Sequence, residues 1–217
     1  MKEIRIARDV FGRNQEEAAG LRGRFEASGT LVVNLIGSPG SGKTSLIEAT
    51  GRHLGEAGRL VVIEGDVETQ RDAERLEALG IRALQIETHG ACHLDVEMIE
   101  EQLAGVALDE VDLLIIENIG NLICPTAFDL GEAVRVVVAS TAEGVDKPLK
   151  YPEAYHGADA CVLNKIDLLG HIDFDVEAFE SYARRANEAL RIFRLSCTSG
   201  EGIGAYQQWL AGQMSGK

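Results

Sequence analysis

Thr30-Leu-Val-Val-Asn-Leu-Ile36 runs directly into Gly37-Ser-Pro-Gly-Ser-Gly-Lys-Thr-Ser45, and this junction decides the fold. Gly37, Gly42, Lys43 and Thr44 fit the spacing G-x-x-x-x-G-K-[ST] of a phosphate-binding loop. Glycines let successive backbone N–H groups turn inward without Cβ clashes and cradle phosphate oxygens. The loop from Gly37 to Ser45, including Ser38, Gly40, Ser41 and Ser45, is the expected cradle. The helix read from Thr44 to Glu56 points its positive end at the same anion. Lys43 would reach the β- and γ-phosphates, and the Thr44 hydroxyl would sit on Mg²⁺.

A second motif specifies the base. Ala160-Cys-Val-Leu-Asn-Lys-Ile-Asp167 is an apolar strand ending in Asn-Lys-x-Asp, the guanine-recognition signature of GTPases. The Asp167 carboxylate can accept from guanine N1–H and N2–H₂, donors that adenine does not present in that geometry. Asn164 can brace neighbouring loops, and the Lys165 stem can lie along the base plane. Ser196-Cys-Thr-Ser-Gly-Glu-Gly202 is similar to a third base-contacting loop, with Ser196 and Cys197 as contact candidates, but it departs from the common Ser-Ala-Lys. GTP is the expected nucleotide.

Beyond the loop, strands are expected at 30–36, 60–64, 83–86, 112–116, 133–139, 160–164 and 191–195. Helices are expected at 44–56, 69–79, 95–104, 149–156, 176–189 and 204–213. An amphipathic helix over 14–27 places Ala18, Leu21 and Phe25 on one side. Strands apolar on both faces, alternating with helices, predict a three-layer α/β fold: a mainly parallel sheet covered by helices on each face. The 217 residues read as a single P-loop GTPase domain, 1–217, with a helical segment, 1–29, packed on it. Ligands in such sheets gather at the carboxyl ends of the strands.

Composition narrows the partners. The formal charge of −14, from 21 basic and 35 acidic residues, argues against nucleic acid. No apolar run reaches the ~18 residues of a membrane helix, and the start MKEIRIARDV lacks a signal peptide's apolar core. The cytoplasm is the expected compartment. Cys92, Cys124, Cys161 and Cys197 are scattered, so thiols or metal ligands are expected rather than a disulfide framework.

Two further strands deliver carboxylates to the rim: Leu60-Val-Val-Ile-Glu-Gly-Asp66 and Val111-Asp-Leu-Leu-Ile-Ile-Glu117. Phosphate-loop GTPases usually end the second such strand in Asp-x-x-Gly, whose carboxylate serves Mg²⁺ and whose glycine N–H senses the γ-phosphate. Glu117-Asn-Ile-Gly120 occupies that place here. Lys43, Asp66 and Glu117 are thus the catalytic candidates, Thr44, Asp66 and Glu117 the Mg²⁺ candidates, and Gly120 the γ-phosphate sensor. The division of roles between Asp66 and Glu117 stays open. No arginine finger or water-positioning Gln announces itself, which suggests slow intrinsic turnover.

Thr88-His-Gly-Ala-Cys-His-Leu-Asp95 puts Cys92 and His93 side by side before a helix capped by Asp95. Cys124-Pro125 follows the sensing segment, whereas Cys161 lies inside a strand and reads as a small hydrophobe. Adjacent residues rarely chelate one ion alone, so a closed site needs more ligands. Cys124 is one source and a twofold-related copy is another. Thiolate with imidazole suits Zn²⁺ or Ni²⁺.

Assembled, these segments resemble the hydrogenase nickel-incorporation GTPases, the HypB-type hydrogenase maturation factors of the SIMIBI class. The resemblance is carried by Gly37–Ser45, Glu64–Arg75, Thr88–Asp95, Glu117–Pro125, Asp146-Lys-Pro-Leu-Lys-Tyr-Pro152 and Asn164–Asp167. It implies a cytoplasmic GTPase that dimerises around nucleotide. Its metal site would use Cys92, His93 and Cys124. Its task would be delivery of nickel to the precursor of the [NiFe]-hydrogenase large subunit, together with a small zinc-containing HypA-type partner. An N-terminal Cys-rich nickel motif and a His-rich tract, found in some members, are not seen in this sequence, so only the GTPase-domain site is implied. The urease accessory GTPase resembles this chain less, since Cys-Pro-His is expected there where Cys92-His93 stands. A cobalamin-enzyme chaperone would share the loop and Asn-Lys-x-Asp without the Cys cluster. From another class, a signalling switch with a merely structural metal would share every nucleotide motif. Ser38, in place of a lysine, argues against the ATPases of chromosome-partitioning type.

Overall fold

The computed structural model describes residues 2–54, 59–65, 71–88 and 90–216, the backbone alone for 2–11 and 71. Asp66 and His89 therefore lie outside the described residues. Among those described, seven strands form one sheet: β1 (Leu31–Gly37), β2 (Leu60–Glu64), β3 (Arg82–Gln85), β4 (Leu113–Gly120), β5 (Val134–Ser140), β6 (Ala160–Asn164) and β7 (Arg191–Arg194). Their order is β3-β2-β4-β1-β5-β6-β7. Every neighbouring pair is parallel, so the expected mainly parallel sheet is parallel throughout. That is the arrangement its continuous Val, Ile and Leu runs require, because such strands have no face fit for water.

Helices α1 (Lys2–Ser28), α2 (Lys43–Leu54), α3 (Arg71–Glu77), α4 (Val96–Leu103), α5 (Lys147–Lys150), α6 (Pro152–His156), α7 (Val176–Ala186) and α8 (Ile203–Ser215) surround it. Alternation along β1 shows how the faces divide. Leu31, Val33 and Leu35 pack into one apolar cluster with Leu46 and Ile47 of α2, Leu76 of α3, and Tyr206 and Leu210 of α8. On the opposite face there are two clusters. Val32 joins Ala18, Leu21 and Phe25 of α1 with Val96, Ile99 and Leu103 of α4. Ile36 joins Ala154 and Tyr155 of α6 with Phe179 and Ala183 of α7. Burying a side chain of this size contributes about 1.5–3 kcal/mol. Between the two clusters sits Asn34, fully buried in an otherwise apolar strand.

Several boundaries differ from the sequence expectation. The N-terminal helix expected over 14–27 runs from Lys2 to Ser28. The helix expected over 149–156 is two helices, interrupted at Tyr151 with φ −129° and ψ 54°. The ring of Pro152 disfavours α geometry at the residue before it. Strand β4 continues past Ile116 to Gly120, carrying Glu117 inside its ladder. The helix expected over 176–189 ends at Ala186. There Asn187 turns extended and donates its side-chain amide to the Ala158 carbonyl at 2.8 Å.

Candidate functional site

The crossovers on either side of β1 leave its carboxyl end as the point where ligands collect in such sheets. The loop after it is held in shape from several directions. Gly42 has φ +100°, and a Cβ there would come within 2.2 Å of Asn164 Nδ2. A Cβ at Gly37 would meet the Val138 carbonyl at 2.4 Å. Lys43 is buried, its Nζ turned back on the Gly37 carbonyl at 3.4 Å. At the loop's other end Ser38 Oγ accepts from Lys147 Nζ at 3.1 Å. Burial pushes the nearby Glu143 carboxyl up, against the pull of Lys147. A cleft of about 460 Å³ opens over this loop, lined by Gly42, Lys43, Thr44, Glu117, Gly120 and Lys165 among others.

Two oxygen donors converge in that cleft, since the Thr44 hydroxyl lies 3.0 Å from Glu117 Oε1. Glu64, buried at the end of β2, stands in register beside Glu117 of β4. The sequence reading passed over Glu64 in favour of Asp66. Its signal was a carboxylate closing a strand of four apolar residues. A hydroxyl and carboxylates gathered beside a phosphate cradle are the hard-oxygen set that suits Mg²⁺. Gly120 sits directly against the loop, and a side chain there would run into Pro39 at 2.8 Å.

On the other side of the loop, Asn164 ties three segments together. Its Nδ2 donates to the Ser41 carbonyl at 3.0 Å, while its Oδ1 accepts from the N–H groups of Lys165 at 2.7 Å and Cys197 at 3.1 Å. Lys165 holds a left-handed φ of 63° and donates its Nζ to the Gly40 carbonyl at 2.7 Å. Two residues on, Asp167 is exposed. Ser196 is fully buried, and its Oγ accepts from Thr198 and Ser199 N–H groups, shaping the third loop. The Cys197 thiol packs against the apolar core, and burial pushes it up to about 11. Both its backbone N–H and its thiol interact with Asn164 of the motif. Cys161 is fully buried, where burial drives its thiol far above the ordinary range, in keeping with the sequence reading.

The Cys and His candidates meet just beyond Gly120. Cys92 is exposed and Cys124 half-buried. The Cys124 thiol, and after it burial, raises the Cys92 thiol above its ordinary value. Cys92 Sγ lies 3.7 Å from His93 Nδ1. The His93 ring stacks on Phe128 with centroids 3.7 Å apart. Burial, opposed only in part by Asp95, lowers His93 and favours the neutral imidazole that a metal requires. Among the described residues no three His, Cys, Asp or Glu side chains close around a point suited to a metal. Asn121 joins the two segments, its Nδ2 donating to the Cys92 carbonyl at 3.4 Å. As expected, Asp95 caps α4 by accepting from the Met98 N–H at 2.9 Å. No described helix is long and apolar enough to cross a membrane.

Comparison with known proteins agrees with this geometry. A profile of the "CobW/HypB/UreG, nucleotide-binding domain" matches residues 31–194. The hydrogenase maturation factor HypB of Azotobacter vinelandii is 52% identical over 210 residues, covering 97% of this chain and 69% of that relative. The crystal structure of HypB from Archaeoglobus fulgidus superposes with a TM-score of 0.87 at 39% identity, over 94% of this chain and 99% of that one. HypB from Helicobacter pylori, solved in complex with nickel, gives 0.88 at 36% identity, over 94% and 95%. The chain therefore belongs to the CobW/HypB/UreG nucleotide-binding family and, within it, to the HypB hydrogenase maturation factors.

Proposed function

We propose that this protein is a GTP-hydrolysing metallochaperone of the cytoplasm whose cargo is nickel, destined for the large-subunit precursor of [NiFe]-hydrogenase. In this reading residues 1–217 act as one GTPase domain, with segment 1–29 packed on it. The observation that carries the reading is the distance in sequence between two functions. Gly120 packs on Pro39 of the phosphate loop, and Cys124, only four residues later, lies beside Cys92.

The chain's own groups take defined parts. Gly37 to Ser45 cradle the phosphates, and Lys43 supplies fixed positive charge to the β- and γ-phosphates. Asn164 and Lys165 hold the base loop, and Asp167 accepts from guanine. Thr44 and Glu117, joined by Asp66, would hold Mg²⁺, which supplies neutralisation of phosphate charge when bound. Cys92, His93 and Cys124 present two sulfurs and a neutral imidazole to Ni²⁺, or to Zn²⁺ in its place. A second copy completes the ligand set, so GTP favours a homodimer with the cargo at its interface. Hydrolysis is slow, alters that interface and eases transfer, with a small zinc-containing HypA-type protein as the accessory partner.

Linkage makes this testable, since GTP and metal must alter each other's affinity by the same factor. Nickel titrations and oligomer size, each measured with GDP and with a non-hydrolysable GTP analogue, should differ between the two nucleotides. The Cys92→Ala variant should lose nickel affinity in both states. Equal nickel affinity in both states, with Cys92→Ala binding as well as the parent, would leave a plain GTPase with unreactive thiols.

A further inference from the structure

Asn34 is the residue that the hydrophobic logic of the sheet does not explain. It is fully buried between the α1/α4 cluster and the α6/α7 cluster. A buried amide is costly unless its hydrogen-bonding groups are paired. Both are paired here, in a chain that crosses the sheet. Asn118 Nδ2 donates to Asn34 Oδ1 at 3.3 Å, and Asn34 Nδ2 donates to Glu132 Oε1 at 3.1 Å. The same carboxylate oxygen accepts from Arg135 Nε at 2.8 Å. The Arg135 guanidinium then donates to the carbonyls of Thr126 at 3.3 Å and Phe128 at 3.0 Å.

The ends of this chain are what give it meaning. At one end, Asn118 Oδ1 accepts from the Ile119 N–H at 3.0 Å, immediately before Gly120 in the nucleotide cleft. At the other end, Thr126 follows Cys124 by two residues in the same short helical turn, and Phe128 is the ring on which His93 stacks. Strand register makes the connection direct. Arg135 of β5 stands in register with Asn34 of β1 and shares its face of the sheet. Asn118, two residues past Ile116, shares the face of the residue that pairs with Asn34. Glu132 has no slack, because its Oε2 accepts from the Leu130 N–H at 2.8 Å. A displacement of Ile119 and Gly120 therefore cannot leave Asn118 in place without breaking a buried bond. Its consequence arrives at Thr126 and Phe128.

We propose that Asn34, Glu132 and Arg135 are positioning residues that transmit the nucleotide state from Asn118 to the Cys124–Phe128 segment, so that they set how far GTP changes nickel affinity. This rests on the nickel-GTPase reading above. Contiguity alone does not establish coupling, so the measurement must be of the coupling itself. The quantity is the ratio of nickel affinities with the GTP analogue and with GDP, measured on the full chain. Asn34→Leu keeps the four-heavy-atom side chain branched at Cγ and removes both bonds. Arg135→Lys keeps the charge beside Glu132 but not the geometry that reaches two carbonyls at once.

Both variants should bring the ratio towards one while leaving GTP turnover and GDP-state nickel affinity within about threefold of the parent, since neither residue touches either ligand. A purely structural network would lower the melting temperature and leave the ratio unchanged, and that result overturns the proposal. Should neither variant fold, hydrogen exchange on the parent decides. The Leu130 N–H, held by Glu132, should change its protection between the GDP and GTP-analogue states, and equal protection refutes the relay. A parent whose nickel affinity is the same in both states removes the coupling itself. A parent with a clear ratio that the variants retain removes only the relay.

Discussion

Replacing Asn164 by alanine tests whether the nucleotide site is held as one unit. The side chain is buried, and it makes three bonds to three different loops. Truncation strands the Ser41 carbonyl and the N–H groups of Lys165 and Cys197. At about 1 kcal/mol net for each, the loss is about 3 kcal/mol. For a chain of this size that corresponds to a fall of roughly 6–12 °C in melting temperature. Nucleotide affinity should fall as well, for a further reason. Lys165 adopts a left-handed backbone that costs about 1 kcal/mol or more for a residue with a side chain. Without the Asn164 acceptor it relaxes, and Asp167 moves with it. GDP and GTP should weaken together, by at least about tenfold each, because the damaged parts serve the base and the loop rather than the γ-phosphate alone. Thermal melts of the nucleotide-free protein and titrations with a fluorescent GDP provide the readouts. A melting temperature within about 2 °C of the parent, with GDP affinity unchanged, would refute the bracing argument.

Two further outcomes follow from exposed or charged positions. Asp167→Asn should bind GTP at least about tenfold more weakly, because one of two guanine donors loses its acceptor. Its melting temperature should not move, since Asp167 is exposed, and undiminished GTP affinity would show that the base is read elsewhere. Asp129 offers a pH test. Burial works to raise its pKa, but the Arg22 guanidinium, the Gly131 N–H and the charge of Arg135 outweigh burial and hold it below the ordinary value. A carboxylate depressed in the folded state stabilises above its unfolded pKa and loses that contribution as pH falls through the folded one. Stability should thus decline below about pH 4, and Asp129→Asn should flatten that decline. An identical acid profile in parent and variant would dismiss the Arg22–Asp129 pair as a contributor.

What the sequence displayed and what it hid follow from how each feature is encoded. The parallel sheet was legible because strands buried on both faces must be apolar throughout, and such runs are visible without any partner. The phosphate loop was legible because its glycines answer to backbone sterics that depend on few residues. Asn34, Glu132 and Arg135 were not legible as a group. A lone Asn in a strand, a Glu in a turn and an Arg at a strand start each have common explanations, and only the register of β1 with β4 and β5 brings them together. Glu64 went unread for a similar reason, since its significance is its register with Glu117. The break at Tyr151 was legible in principle from Pro152, whose ring disfavours α geometry at the residue before it.

The energetic scale explains why such a network can serve as a transmitter. A tenfold change in metal affinity between two nucleotide states requires a coupling free energy of about 1.4 kcal/mol. One net hydrogen bond supplies about 0.5–1.5 kcal/mol, and a bond to a charged group about 1.5–3. The path from Asn118 to Phe128 contains both kinds. Tightening or loosening a single link therefore matches the coupling that is needed, without unfolding any element. An apolar packing contact in the same place would be spread over many weak atom pairs and would yield gradually. A directional bond between buried groups is either made or costly to leave unmade, so it favours two distinct arrangements. Strand β4 places the Mg²⁺ carboxylate candidate, the first amide of the network and the candidate γ-phosphate sensor at Glu117, Asn118 and Gly120. In the proposed relay, the length of that strand past Ile116 would let one phosphate bond inform a thiol.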